Sequence, residues 1–220
     1  MKNLQKIGGL AALYLAAAYL LGIVLFLFVL DYPSIVEPAQ KVALLVDKQA
    51  TIYITNLVMY VIFGFFLVVL SLALYERLKT STEQALLRTA TVIGLIWSGA
   101  LIASGMVANA GIAPIIELYA TDPAQAALIW LGIESVANGL GGANGEILGG
   151  LWVFLLSWTA LKTGGLPKPL NYLGLVVGAV GIFSLIPGLH DLSGLFGMSQ
   201  IVWFVWLGII MLRKSSSAAA

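Results

Sequence analysis

Long apolar segments, separated by short polar ones, follow each other through almost the whole chain. Hydrophobic residues make up 60% of the sequence and charged residues 10%, whereas a soluble domain carries roughly a quarter charged residues. A soluble fold of this size cannot bury so much apolar surface, and about 20 apolar residues in a helix cross a bilayer core. The pattern therefore predicts an all-α, polytopic membrane helix bundle.

Six segments have the length and hydropathy of membrane spans. They cover residues 8–30, 51–75, 89–111, 144–161, 170–186 and 195–212. The first is longer than the apolar core of a signal peptide and lacks a small-residue cleavage site, so we interpret it as a retained span. Pro114 is expected to end the third helix, and residues 31–48 to form a polar loop. Residues 1–214 are expected to form a single domain, followed by a disordered tail over 215–220.

The region after Thr121 needs a separate interpretation, because the chain stays apolar from Pro123 to Leu161. One straight helix of that length would measure roughly 57 Å, nearly twice the hydrocarbon core. The glycine cluster at 139–145 is expected to break it. This leaves an interfacial or re-entrant helix over 123–138, before the fourth span.

Charge distribution orients the bundle. With the amino terminus inside, Lys41 and Lys48 are the basic residues of the outer segments. The inner segments hold the other basic residues: Lys2, Lys6, Arg77, Lys79, Arg88, Lys162, Lys168, Arg213 and Lys214. This asymmetry follows the positive-inside rule and predicts a protein of the plasma (inner) membrane with both termini cytoplasmic. The net charge of +1 argues against a nucleic-acid partner.

Small residues repeat at four-residue spacing, which permits close helix packing in lipid. The repeats are Gly141/Gly145/Gly149 and Gly142/Glu146/Gly150, and Gly174, Gly178 and Gly181 continue the pattern on the fifth span. Gly94, Ser98, Gly105 and Asn109 share one side of the third span. Helix–helix contact is the simpler interpretation. The alternative is that these glycines leave room for a ligand beside Glu146.

A group of acids, amides and one histidine on the predicted outer side forms the candidate ligand-binding site. Its members are Glu134, Asn138, Asn144, Glu146, His190 and Asp191. Ionisable residues near the membrane interior are functional candidates by default. Structural interpretations stand beside this one. Asn144 can cap the fourth helix with Glu146 in its first turn, Glu134 and Asn138 can form a solvated helix face, and His190 can be a loop residue.

The chain resembles an uncharacterised bacterial family of six-span membrane proteins, catalogued as a domain of unknown function. The resemblance rests on IGGLAALYLAAAYLLG, YERLKTSTEQALLRTATVIGLIWSG, the glycine-rich fourth span, LPKPLNYLGLVVGAVGI and WFVWLGIIMLRK. It covers most of the chain and implies no activity, cofactor or site residue.

Three functional hypotheses follow. The first is a non-enzymatic membrane protein that binds a lipid-like or small amphiphilic ligand, or a partner helix, around Glu146. The second is a membrane-embedded hydrolase whose metal is held by His190, Asp191, Glu134 or Glu146. The third is an accessory subunit of a larger membrane complex that docks through its glycine faces. The sequence identifies no catalytic residue, resident metal or cofactor.

Overall fold

The computed structural model describes residues 2–79, 84–141, 146–189 and 191–213, and these form helices joined by short turns. The helices are α1 (Lys2–Ile23), α2 (Pro38–Asp47), α3 (Gln49–Asn56), α4 (Phe63–Leu78), α5 (Gln84–Tyr119), α6 (Pro123–Gly141), α7 (Ile147–Thr163), α8 (Lys168–Phe183) and α9 (Leu192–Arg213). The predicted all-α helix bundle is confirmed.

Two segments are wound as wider π-helical turns. Val24–Val29 prolongs α1, and Leu57–Ile62 joins α3 to α4 without a break. A short 3₁₀ turn, Tyr32–Ser34, then leads towards α2. π-helical turns are rare and often lie at functional sites.

The described residues contain four helical segments that are long and apolar enough to cross a bilayer. They are Asn3–Val29, Gln49–Leu78, Gln84–Tyr119 and Leu192–Arg213, and the shorter α7 and α8 are also apolar. These helices make the chain a membrane-embedded bundle. The six segments coincide in position with the predicted spans, but the count of six spans stays a prediction.

The six apolar segments close into a ring. In order around it, α1 packs against α4, α4 against α5, α5 against α7, α7 against α8, α8 against α9, and α9 returns to α1. Helix α6 packs against α5 and α2. The ring therefore brings together α1 and α9, two helices that are far apart in sequence.

Aromatic side chains fill the centre of the ring. Trp152 is fully buried, and its ring centroid lies 5.7 Å from that of Trp97 and 5.8 Å from that of Trp203. Phe63 contacts Trp97 edge-on at 6.2 Å. Edge-on and tilted aromatic pairs of this kind each contribute about 0.5–1.5 kcal/mol beyond the burial of their area.

Glycines bring α7 and α8 into backbone contact, as the small-residue repeats predicted. A methyl group on Gly150 would lie 2.7 Å from the Ile182 nitrogen and 2.8 Å from the Gly178 carbonyl oxygen. A methyl group on Gly149 would instead meet the Trp97 and Phe196 side chains, and one on Gly174 would meet the Ser157 and Trp203 side chains. The expectation of helix packing is thus confirmed for these positions, whereas Gly142 and Gly145 lie outside the described residues.

A second, smaller core lies beyond the aromatic one, where α2 and α6 meet α5. It is built from Leu30, Val42, Leu45, Ile52, Ile112, Ile115, Ala126, Ala127 and Trp130. Residues 38–47, which we expected to belong to a polar loop, are helical here because Val42 and Leu45 are buried in this core. That part of the loop prediction is wrong.

Pro114 does not end its helix, contrary to the prediction. Helix α5 has 36 residues and continues to Tyr119, a length of roughly 54 Å. Proline removes one helical hydrogen bond and crowds the preceding turn. Ile112 and Ile115 are buried on either side of it in the second core, and this burial holds the helix together through the proline.

Candidate functional site

Glu134 lies on α6 and is held by two residues from the preceding part of the chain. Its Oε1 accepts a hydrogen bond from the Tyr32 hydroxyl at 2.7 Å, and the Lys41 ammonium donates to both carboxylate oxygens at 2.8 Å. Lys41 also lies over the Tyr32 ring, 5.1 Å from its centroid. These contacts, which we call the clamp, hold the 3₁₀ turn and α2 against α6. The Lys41 ammonium already balances the negative charge of the Glu134 carboxylate.

The Tyr32 phenol is affected by this clamp. Burial first, and then its hydrogen bond to Glu134, raise the pKa of the Tyr32 hydroxyl well above its ordinary value. Both effects favour the neutral phenol, because the phenolate would lose solvation and face a carboxylate. At neutral pH Tyr32 therefore serves as a fixed hydrogen-bond donor.

Asn138 follows Glu134 by one helical turn and lines the same cavity. This cavity, the upper cavity, has a volume of about 70 Å³, enough for roughly two waters at about 30 Å³ each. Its polar lining comes from Tyr32, Thr55, Asn56, Tyr60, Ser104, Glu134 and Asn138. Glu134 and Asn138 thus lie on one face of α6, as their spacing predicts.

Glu146 immediately precedes α7, so the expectation that it lies in the first turn is wrong. Its backbone N–H donates to the Ser184 hydroxyl at 3.0 Å, and that hydroxyl donates to the Gly181 carbonyl at 2.6 Å. The Glu146 side chain makes no capping hydrogen bond. Asn144, the predicted cap, lies outside the described residues.

The carboxylate of Glu146 takes part in none of the hydrogen bonds or ion pairs formed among the described residues. It lines a cavity of about 90 Å³, which we call the aromatic cavity. The other lining residues are Tyr19, Met59, Tyr60, Phe63, Leu101 and Gly141. Met59 and Tyr60 belong to the π-helical segment between α3 and α4, so this segment supplies part of the cavity wall.

Glu146 also reaches a larger, open space between α1 and α9. This α1–α9 groove has a volume of about 450 Å³ and is lined by Tyr19, Ile23, Leu27, Glu146, Ser193, Gly194, Gly197 and Met198. Among the described residues of its lining, Glu146 alone is charged. Drug-sized ligands occupy sites of roughly 300–1,000 Å³ with mostly apolar walls and few polar groups, and the groove has these properties.

The three spaces follow one another through shared residues. Tyr60 lines both the upper and the aromatic cavity, and Tyr19 with Glu146 lines both the aromatic cavity and the groove. Glu134 and Glu146 are therefore placed in neighbouring spaces, separated by Tyr60. Of the predicted polar patch, Glu134 and Asn138 thus line one space and Glu146 lines the neighbouring ones; that they bind a ligand stays a prediction.

Asp191 stands apart from these spaces. It is exposed at the start of α9 and lines neither cavity nor the groove. His190 lies outside the described residues. Among the residues that the structure describes, no three His, Cys, Asp or Glu side chains come together as potential metal ligands. The metal-site hypothesis depends on His190 and stays a prediction.

Sequence reasoning missed Tyr19 and Tyr60. A signal was present, because tyrosines in membrane helices prefer the interfaces, and these two lie in the middle of long apolar runs. It also missed the partnership of Lys41 with Glu134, two residues that are 93 positions apart.

The comparisons with known proteins give a family and nothing more specific. Neither a curated protein nor a solved structure matches the chain. A family described as "Domain of unknown function (DUF4386)" matches residues 14–214, which is nearly the whole bundle and agrees with the resemblance seen in the sequence. The chain belongs to the DUF4386 family.

Proposed function

We propose that this membrane protein binds a single-chain amphiphile in the α1–α9 groove, with Glu146 as the polar anchor. One observation carries the proposal: an apolar groove of about 450 Å³ contains one carboxylate that has no partner among the described residues. The groove suits the apolar chain, and the carboxylate suits a head group that donates a hydrogen bond or carries positive charge.

The energetics of Glu146 support a ligand. An acid that is removed from water without a partner either stays protonated or gains a cation or a hydrogen-bond donor as partner, and a bound head group supplies such a partner. Glu134, by comparison, has Lys41 and Tyr32 as partners. Of the two acids that line these spaces, Glu146 is therefore the one without a side-chain partner among the described residues, and we assign the head group to it.

The position of the groove supports entry from the bilayer. It runs between two helices that are long and apolar enough to span it, and its rim includes Leu27, which is 47% exposed, and Met198, which is 64% exposed. Such side chains contact acyl chains when the bundle is in a membrane. An amphiphile can then move sideways from the lipid into the groove without crossing water.

Blocking the groove tests the proposal. A side chain at Gly194 meets no atom within 4 Å, and the same holds for Gly132 on α6. Because Gly194 lines the groove, we expect the side chain of Gly194→Leu to fill part of it, and Gly132→Leu is the matched control. In native mass spectrometry from mild detergent, we expect wild type and Gly132→Leu to retain a stoichiometric amphiphile that Gly194→Leu loses. Equal retention by all three proteins, or retention by none, would contradict the proposal.

We further propose six spans with both termini cytoplasmic in the plasma (inner) membrane, supported by the distribution of basic residues. The chain contains no cysteine, so single cysteines report topology. Ser34 and Lys168 are exposed, on opposite predicted sides. On intact cells a membrane-impermeant maleimide should label Ser34→Cys and should label Lys168→Cys only after lysis. The reverse pattern would refute this orientation.

A further inference from the structure

Building on the proposed amphiphile binding, we infer that the aromatic cavity selects a quaternary, methylated ammonium head group. The apolar chain of the same molecule lies in the α1–α9 groove. The ligand class is then a cationic amphiphile, and the walls, size and charge of the aromatic cavity support this.

The walls of the cavity are aromatic on several sides. Tyr19 comes from α1, Tyr60 from the π-helical segment and Phe63 from α4. The Tyr19 and Phe63 rings meet edge-on, with centroids 5.3 Å apart and an interplanar angle of 84°. Aromatic rings from different directions form the cages that bind quaternary ammonium groups, because the negative ring faces attract a cation that has a weak hydration shell.

The size fits the same group. The cavity measures about 90 Å³, whereas an apolar protein cavity of about 150 Å³ admits benzene. A trimethylammonium group has about two thirds as many heavy atoms as benzene, close to the ratio of the two volumes. A phospholipid glycerophosphate group is too large for this space.

The charge fits as well. Glu146 is the acidic side chain of the cavity wall, and no lysine or arginine is among the described residues that line it. A methylated ammonium has no N–H to satisfy when all four valences carry carbon, so it needs charge and π faces rather than a set of acceptors. An anionic head group would face the carboxylate without a compensating cation.

The cavity and the groove are joined where the head and chain of one molecule would join. Tyr19 and Glu146 line both spaces. A molecule whose chain lies along α1 and α9 therefore presents its head directly to the cavity. This continuity distinguishes the aromatic cavity from the upper cavity, which shares no lining residue with the groove.

A panel of probes with one chain and different heads tests the inference on the wild-type protein. The probes are radiolabelled hexadecyltrimethylammonium, hexadecylammonium and hexadecanol, added in trace amounts to nanodiscs of phosphatidylglycerol and phosphatidylethanolamine, which contain no choline. Protein-free nanodiscs give the background partitioning. We expect the trimethylammonium probe to bind at least tenfold more tightly than either of the others.

Variants assign the selectivity to the cavity. Glu146→Gln and Tyr60→Leu should each reduce trimethylammonium binding at least tenfold, whereas Tyr60→Phe keeps the ring and should retain it. The matched controls are Glu117→Gln, at an exposed acid, and Tyr172→Leu, at a tyrosine that is 58% exposed. Neither control should change binding.

The outcomes separate this inference from the proposed function. If Gly194→Leu abolishes binding of every probe but all heads bind equally, the groove stands and the aromatic selectivity is overturned. If the primary ammonium binds as tightly as the quaternary one, the protein recognises only the positive charge of the head group, and the inference also fails. If no probe binds above the nanodisc background, both are overturned.

Discussion

Replacing Gly150 by alanine is the sharpest test of how α7 and α8 are held together. The added methyl group would lie 2.7 Å from the Ile182 nitrogen, 2.8 Å from the Gly178 carbonyl oxygen and 2.9 Å from the Gly181 carbonyl carbon. All three atoms are backbone, so no side chain can rotate away. The helices must separate by roughly an ångström to restore ordinary contact distances of about 3.5–4.0 Å.

The magnitude follows from two opposing terms. Overpacking a closely packed interface costs about 1–3 kcal/mol, and the upper end applies because the obstruction is backbone on three sides. Alanine in place of a helical glycine returns about 0.5–1 kcal/mol through lower backbone entropy in the unfolded chain. We therefore expect Gly150→Ala to lower the free energy of unfolding by about 2 kcal/mol.

A second substitution tests whether the same close approach of α7 and α8 accounts for the cost at both glycines. A methyl group on Gly178 would lie 2.7 Å from the Gly150 carbonyl oxygen and 2.7 Å from the Phe154 nitrogen. A single separation of α7 and α8 relieves the conflicts of both substitutions. The double variant Gly150→Ala/Gly178→Ala should therefore cost clearly less than the sum of the two single variants.

The assay is reversible unfolding in mixed micelles with increasing SDS, followed by tryptophan fluorescence, since Trp152 and Trp203 are fully buried. Gly99→Ala is the matched control, because its methyl group meets no atom within 4 Å. The control should be neutral or stabilising by up to about 1 kcal/mol. A Gly150→Ala protein within about 0.5 kcal/mol of the wild type would refute the reasoning.

Three further outcomes follow from the polar contacts. Lys41→Met should lower the free energy of unfolding by about 2 kcal/mol, because it leaves the Glu134 carboxylate without its cation. This is less than the loss expected for breaking a fully buried ion pair. An unchanged midpoint of SDS unfolding would contradict the clamp. Ser184→Ala should cost about 1 kcal/mol, since the Glu146 N–H loses its acceptor, while Ser34→Ala on the exposed turn serves as the control. Because the pKa of Tyr32 is raised, the folded protein keeps the phenolic proton to a higher pH than the unfolded chain does. The resulting stabilisation of the folded state is complete below pH about 10, the ordinary tyrosine pKa, and is lost as pH rises above it. Tyr32→Phe should flatten that loss, and an identical alkaline profile would exclude Tyr32 as its source.

Much of the bundle was readable from the sequence, because hydropathy and glycine spacing act locally. The positions of the apolar helices followed from the length of the apolar runs, and Gly149, Gly150 and Gly174 proved to be close-contact positions as their spacing indicated. The bilayer makes these signals strong, since a spanning helix must be apolar over most of its length.

Features that depend on distant parts of the chain were not readable. Pro114 resembles a helix end until the burial of Ile112 and Ile115 against other helices is known. The clamp on Glu134 depends on Lys41, a partner that no local pattern indicates. The separation of Glu134 and Glu146 into neighbouring cavities was not readable either, because tertiary packing sets the position of Tyr60 between them.

The pairing of α1 with α9 has a consequence for biosynthesis. These two helices form the walls of the groove, yet α9 leaves the ribosome long after α1. At about 5–20 residues per second the interval is on the order of ten to thirty seconds. During that time α1 can pack against α4, as Tyr19 does against Phe63, but the side of α1 that forms the groove still lacks α9 as its opposite wall. The groove exists only after α9 has been inserted and the ring has closed, so an incompletely synthesised chain has no place to hold an amphiphile.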